Sequence, residues 1–210
     1  DILDEIALEV VKGDAGSVEG LTEKALSQGI SASEILNKGL VKGMGIISEK
    51  FKNNEIFIPE VLISAKSMKS GMEILKPFLA KAKIKFQGKV IIGTVKGDLH
   101  DIGKNIVAML LQGAGFEVVD LGADVSKEKF LEFAEGENPD ILGMSALLTT
   151  TMTYMKEVID AVRNAGLKKD IKFIIGGAPV TQSYAEAINA DGYAPDAASA
   201  VDLSKRILNR

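Results

Sequence analysis

Val90-Ile91-Ile92-Gly93-Thr94-Val95-Lys96-Gly97-Asp98-Leu99-His100-Asp101-Ile102-Gly103-Lys104-Asn105-Ile106-Val107 is an apolar run, a loop bounded by glycines, and the opening of an amphipathic segment. Strand, loop and helix in that order decide the fold, because the same grammar recurs to the end of the chain. The spacing predicts strands at 89–95, 117–120, 141–145, 172–175 and a weak one at 192–193. Between and after them it predicts helices at 102–113, 127–135, 151–164, 182–189 and 197–208.

Short apolar strands alternating with amphipathic helices give an α/β class, a doubly wound parallel sheet covered by helices on both faces. Five βα units of this length arrange naturally in the flavodoxin-like, Rossmann-like strand order 2-1-3-4-5. Upstream the pattern changes. Residues 1–80 show apolar positions at three- and four-residue spacing and no β-branched alternation, so they read as helices only. The first two end near Gly13 and Gly29, residues suited to left-handed caps. The third opens on the capping box Ser31-Ala32-Ser33-Glu34 and carries Ile35, Leu36, Leu40, Met44 and Ile47 inward. The fourth begins near Pro59 and presents Ile58, Val61, Leu62, Ala65, Met68, Met72 and Leu75 on one face. The expected organisation is a four-helix bundle over 1–80, a linker over 81–87 carrying Lys81, Lys83 and Lys85, and an α/β domain over 88–210.

Composition narrows the chemistry. Among 210 residues His100 is the single histidine, and there is no cysteine, which removes thiol nucleophiles, disulfides, iron–sulfur clusters and cysteine-ligated zinc. A formal charge of −4 with both signs dispersed offers nucleic acid no basic stripe and a membrane surface no polybasic segment. No apolar stretch approaches the ~20 residues of a spanning helix, and Asp1, Asp4, Glu5 and Glu9 stand where a secretory signal would carry bases. The expected location is the cytoplasm.

In an open α/β sheet ligands collect at the carboxyl ends of the strands. Three segments follow such ends: 97–103, Ser145-Ala146-Leu147-Leu148-Thr149-Thr150-Thr151, and Gly176-Gly177-Ala178-Pro179. Gly93, Gly97 and Gly103 do not form G-x-G-x-x-G, and Walker A spacing is missing. A Ser-His-Asp hydrolase lacks the G-x-S-x-G elbow. A zinc site built on His100, Asp98 and Asp101 is one nitrogen short of the usual catalytic sets. A metal delivered inside an organic macrocycle needs only one protein ligand, and a carboxylate two residues before the histidine suits a partner that orients it.

Asp98-x-His100-x-x-Gly103, Ser145-x-Leu147 and Gly176-Gly177, in that order, resemble the three-part signature of cobalamin-binding domains that hold the corrinoid base-off and His-on. Over essentially its full length the chain resembles the corrinoid protein subunits of anaerobic methyltransferase systems, and its helical half is similar to the cap of cobalamin-dependent methionine synthase. The resemblance implies a cobalamin or related cobamide with His100 as the lower axial cobalt ligand, Asp98 on the other ring nitrogen, and Thr151 completing a relay where methionine synthase has serine. It implies that Gly97, Leu99, Asp101, Ile102 and Gly103 border the cofactor, and that Gly176 and Gly177 let backbone approach the nucleotide tail. In the same reading Ser145 bonds the displaced benzimidazole, Leu147 packs on it, Thr149 meets polar groups of the tail, and Ala197 lies near its far side.

The resemblance also implies a lid. Phe57-Ile58-Pro59, with Val61 and Leu62, resembles the segment that covers the upper cobalt face. The implied function is a methyl carrier without turnover of its own. It would accept a methyl group on cobalt(I) from a substrate-specific methyltransferase and donate it from methylcobalt(III) to a second methyltransferase, serving tetrahydrofolate or another acceptor, with a reductive activator as a third partner. A cobalamin-dependent sensor or regulator shares the two modules and is the alternative.

Overall fold

The computed structural model describes residues 1–82, 86–167 and 170–209, so Lys83 and Lys85 of the expected linker lie outside the described residues. The chain divides into two compact units, residues 1–86 with Gln112–Gly115, and residues 87–111 with 116–210.

The first unit is helical. Helix α1 (Ile2–Lys12) starts where the Asp1 carboxylate accepts the Leu3 N–H and stops at Gly13, whose φ of 77° gives the left-handed cap. Helix α2 (Ala15–Ser27) is capped in the same way by Asp14. The third helix is continuous from the Ser31 cap through α3 (Ala32–Glu34), a π-helical segment (Ile35–Val41) and α4 (Lys42–Lys52). All five inward positions expected on it are buried. α1 comes close at the start of α4, where a Cβ on Gly43 would stand 2.7 Å from Ala7 O and from Val10 Cβ.

Helix α5 (Ile58–Ala82) departs from its expected face. Val61, Met68 and Leu75 are buried, but the rest of the buried stripe is Ser64, Ser67, Gly71 and Leu79, whereas Ile58 and Leu62 are exposed. The cause is close backbone approach. Ser64 Oγ donates to Val11 O and Ser67 Oγ to Val10 O, while Ser70 Oγ donates to Ala15 O, so serines satisfy carbonyls around the α1–α2 turn. The helix also runs through Pro77 to Ala82, two residues into the stretch read as linker. Pro77 and Glu73, whose carbonyl loses its partner, are both exposed, so water can satisfy what the proline removes.

The second unit is the expected sheet. Strands β1 (Lys89–Thr94), β2 (Glu117–Asp120), β3 (Ile141–Ser145), β4 (Lys172–Gly176) and β5 (Gly192–Ala194) pair in parallel in the order β2-β1-β3-β4-β5. The crossovers are α6 (Ile102–Gly113), α7 (Lys127–Glu137), α8 (Thr149–Met152) with α9 (Tyr154–Asn164), and α10 (Gln182–Ala187); α11 (Ala197–Ile207) follows β5. Ile91, Leu142, Phe173 and Ile175 pack with Phe130, Met155, Val158 and Ile159 in one core, and each such side chain contributes ~1.5–3 kcal/mol by leaving water. Among the described residues no helix is long and apolar enough to cross a membrane.

Candidate functional site

Register places the site. Thr94, Ser145, Gly176 and Ala194 align across β1, β3, β4 and β5, forming the carboxyl rim of the sheet. From that rim β1 turns sharply. Asp98 N–H donates to Val95 O at 3.1 Å with Gly97 at φ 83°, a tight turn whose third residue needs a positive φ. The turn delivers the Asp98 side chain inward and the His100 ring outward. Buried Thr94 then fixes the histidine backbone, its Oγ1 donating to His100 O at 3.1 Å.

Asp98 is fully buried and every contact on it is an N–H or O–H. Its Oδ1 accepts His100 N–H at 3.1 Å and lies 2.8 Å from His100 Nδ1. Its Oδ2 accepts Leu147 N–H and the Thr151 hydroxyl, both at 2.7 Å. Burial pushes this carboxyl toward the neutral form, but the bonds from Thr151, Leu147 and His100 outweigh it and hold its pKa well below the usual carboxylate range. An ionised carboxylate only accepts, so the proton between Asp98 and His100 belongs to Nδ1. In the neutral ring Nε2 therefore carries the lone pair, and among the described residues no hydrogen bond engages it.

The His100 side chain is 53% exposed and is flanked in sequence by large apolar side chains left in water: Leu99 at 75% and Ile102 at 71%. Leu147 and Leu148, after β3, are also exposed. Exposed apolar side chains beside an oriented imidazole offer surface for a ligand to cover. Ser145 is half-buried and Thr149 exposed, and neither hydroxyl has a partner among the described residues. A Cβ on Gly103 would meet nothing within 4 Å, so the floor beside the first turn of α6 is open. Asp101 is half-buried just before it.

The expected residues are thus placed unequally. Asp98 bonds both His100 and Thr151, and the Leu147 backbone rather than its side chain adds a further donor. Gly176 and Gly177 lie on the rim, yet their missing side chains already serve the protein: a Cβ on Gly177, at φ 124°, would stand 1.8 Å from Ala146 O, and one on Gly176 3.0 Å from Ala194 O. Ala197 is buried at the start of α11, three residues after Ala194 of the rim. In the helical unit, Phe57 is 67% exposed just ahead of α5, its N–H donating to Glu60 Oε2. Val61 is core, while Ile58 and Leu62 are exposed.

Sequence reading missed three residues that hold the loop. Asp124 bonds the backbone of Gly97 and Asp98. Thr94 bonds His100. The ammonium of Lys104, almost fully buried, lies 2.6 Å from both carboxylate oxygens of Asp120 and from Asn105 Oδ1. The only signal for Lys104 was a charge at a position one turn into an apolar helix.

Among the described residues no three His, Asp or Glu side chains are disposed to hold a metal ion. One outward imidazole nitrogen amid apolar side chains and open glycine floor instead fits a metal whose remaining ligands arrive with it in a macrocycle. Fold and site together define an α/β protein that offers a single oriented imidazole nitrogen at its sheet rim. Two B12 binding domain models match the chain, over residues 88–202 and 2–76. The chain belongs to the B12-binding corrinoid proteins. It is 40% identical to a corrinoid protein of Desulfitobacterium hafniense over 212 residues, covering 100% of this chain and 98% of that one. It is 41% identical to dimethylamine corrinoid protein 1 of Methanosarcina acetivorans over 209 residues, covering 99% and 98%. The crystal structure of the methanol:cobalamin methyltransferase complex MtaBC from Methanosarcina barkeri superposes with a TM-score of 0.90 at 35% identity, over 99% of this chain and 80% of that chain.

Proposed function

We propose that this chain is a cytoplasmic methyl carrier that binds a cobamide base-off, with His100 Nε2 as the lower axial ligand. The observation that carries the reading is the buried, ionised Asp98 that leaves the Nδ1 proton on His100 and the Nε2 lone pair outward. When bound, the cobamide supplies a cobalt centre able to take up a methyl group and release it. The residues of this chain do the rest. Asp98 fixes the tautomer and makes Nε2 a stronger electron-pair donor, while Thr151 and the Leu147 N–H hold Asp98 in place. Leu99, Ile102, Leu147 and Leu148 give an apolar macrocycle a surface to cover. Gly103, Ser145 and Thr149 leave room and hydroxyls for the nucleotide tail.

In the same reading residues 1–80 form a cap, and Phe57, with Ile58 and Leu62, shields the reactive face from water until a partner arrives. The relatives named for dimethylamine and for a methanol:cobalamin methyltransferase complex support a substrate-specific methyltransferase as partner; the proposed cycle adds a second methyltransferase that takes the methyl group onward and a reductive activator. No feature of the site and no named relative favours the sensor alternative.

The test loads the full chain with hydroxocobalamin, reduces it anaerobically, and adds methylamine or methanol methyltransferases with their substrates. Methyl uptake seen in the visible spectrum with at least one pair, together with a loaded spectrum changed by His100→Ala, is the expected result. Loading without uptake from any pair would overturn the carrier reading, and a spectrum unmoved by H100A would overturn the axial one.

A further inference from the structure

Asp124 lies outside every recognised motif, yet two of its groups reach the backbone of the loop that carries His100. Its N–H donates to Asp98 O at 3.0 Å, and its Oδ1 accepts the Gly97 N–H at 2.7 Å. It does so at φ 53°, in the left-handed region that aspartate and asparagine tolerate better than most side chains. The segment presenting it is itself fixed on two sides. Val125 N–H donates to Thr94 O, and Thr94 N–H donates to Gly122 O, both at 2.9 Å, extending the pairing of β1. Gly122 N–H donates to Asp120 Oδ1, the carboxylate gripped by buried Lys104 near the start of α6. The β2–α7 connection is therefore pinned to both the strand and the helix that flank the histidine loop.

We propose that Asp124 is a positioning residue for His100: it locks the Gly97–Asp98 turn so that the imidazole is held in the orientation in which Nε2 ligates. This rests on the axial role proposed for His100. Asp124 touches neither the Asp98 carboxylate nor the ring, so it acts through backbone alone. Without its Oδ1 the turn keeps the Asp98 N–H to Val95 O bond, and the Asp98 Cα, from which both His100 contacts hang, gains freedom.

Two variants separate the acceptor from the backbone conformation. Asp124→Gly keeps the left-handed residue and deletes the acceptor, whereas Asp124→Asn keeps both and deletes only the charge. The readouts are amide exchange at Gly97 in the cobamide-free chain and the visible spectrum after loading with hydroxocobalamin, with H100A as the spectral reference. D124G is expected to exchange Gly97 roughly three- to tenfold faster, the loss of one ordinary hydrogen bond, and to shift part of the way to the H100A spectrum while still binding. D124N is expected to match the parent in both. A parent-like D124G, or a D124N that behaves as D124G does, overturns the proposal alone. An H100A spectrum identical to the parent's overturns the axial reading and this inference with it.

Discussion

At His100 the decisive quantity is which nitrogen carries the proton, and the answer comes from Asp98 rather than from the ring. Asp98→Asn keeps the shape but replaces an obligatory acceptor with an amide that has hydrogens to donate, so Nδ1 is no longer held protonated. D98N is expected to weaken hydroxocobalamin binding ~10–100-fold, the usual effect of losing a partner behind a metal ligand, as read by spectral titration. The same pair gives an acid profile. The folded carboxyl titrates below its ordinary value of 3.8, so its contribution to stability is complete above that pH and is lost as pH falls from there toward the depressed value. Denaturant midpoints of parent and D98N should keep a constant separation from neutral pH to about 4 and converge only below it; convergence at higher pH would show that Asp98 is not held ionised. The carboxylate, imidazole and Thr151 hydroxyl were legible because they fall in a spaced motif after strand ends. Asp124 was not, since nothing in a sequence says that its Oδ1 will meet an N–H 27 positions away.

Among the elements, helix periodicity succeeded where the buried stripe was apolar and failed where it was not. On the third helix Ile35, Leu36, Leu40, Met44 and Ile47 are all core. On α5 the inward face is set by serines bonding carbonyls of a neighbouring turn, so a hydrophobic pattern was rotated toward Ile58 and Leu62, which face water. Thr22 on α2 shows the reverse economy: it is fully buried and its Oγ1 has no partner among the described residues. Thr22→Val keeps volume and branching and removes an unsatisfied hydroxyl, so thermal unfolding should show it stabilised by ~1 kcal/mol. A clear destabilisation would mean the hydroxyl is satisfied in solution. At the β4 turn the fold itself requires Gly177. Gly177→Ala meets both a forbidden φ and the Ala146 carbonyl, and is expected to cost at least ~2–3 kcal/mol in the cobamide-free chain. Equal stability of the two chains would show that the fold does not need the glycine.

For the molecule as a whole, strand order was legible because parallel βα units must cross over in one hand and helices must cover both faces, leaving few arrangements for five short strands. The helical unit was legible as four helices, but not its π-helical segment or the run of α5 through Pro77, because both depend on which face meets solvent. The same division shapes what cofactor binding does to stability. A ligand that binds only the folded chain stabilises by ~2.7 kcal/mol at a hundred times its Kd, which for a unit the size of the sheet unit raises the melting temperature by roughly 10 °C. If the lower axial bond and the tail account for the affinity, calorimetry with hydroxocobalamin at that excess should raise the transition of the sheet unit by this amount, and H100A at the same concentration should lose most of the shift. If the helical unit also closes on the cofactor, its own transition must rise too, and Phe57→Ala must remove that second shift without lowering the melting point of the cobamide-free chain, because a side chain 67% exposed contributes little to the apo fold. A helical transition indifferent to the cobamide would leave Phe57 and its neighbours as surface residues and assign binding to residues 87–209 alone.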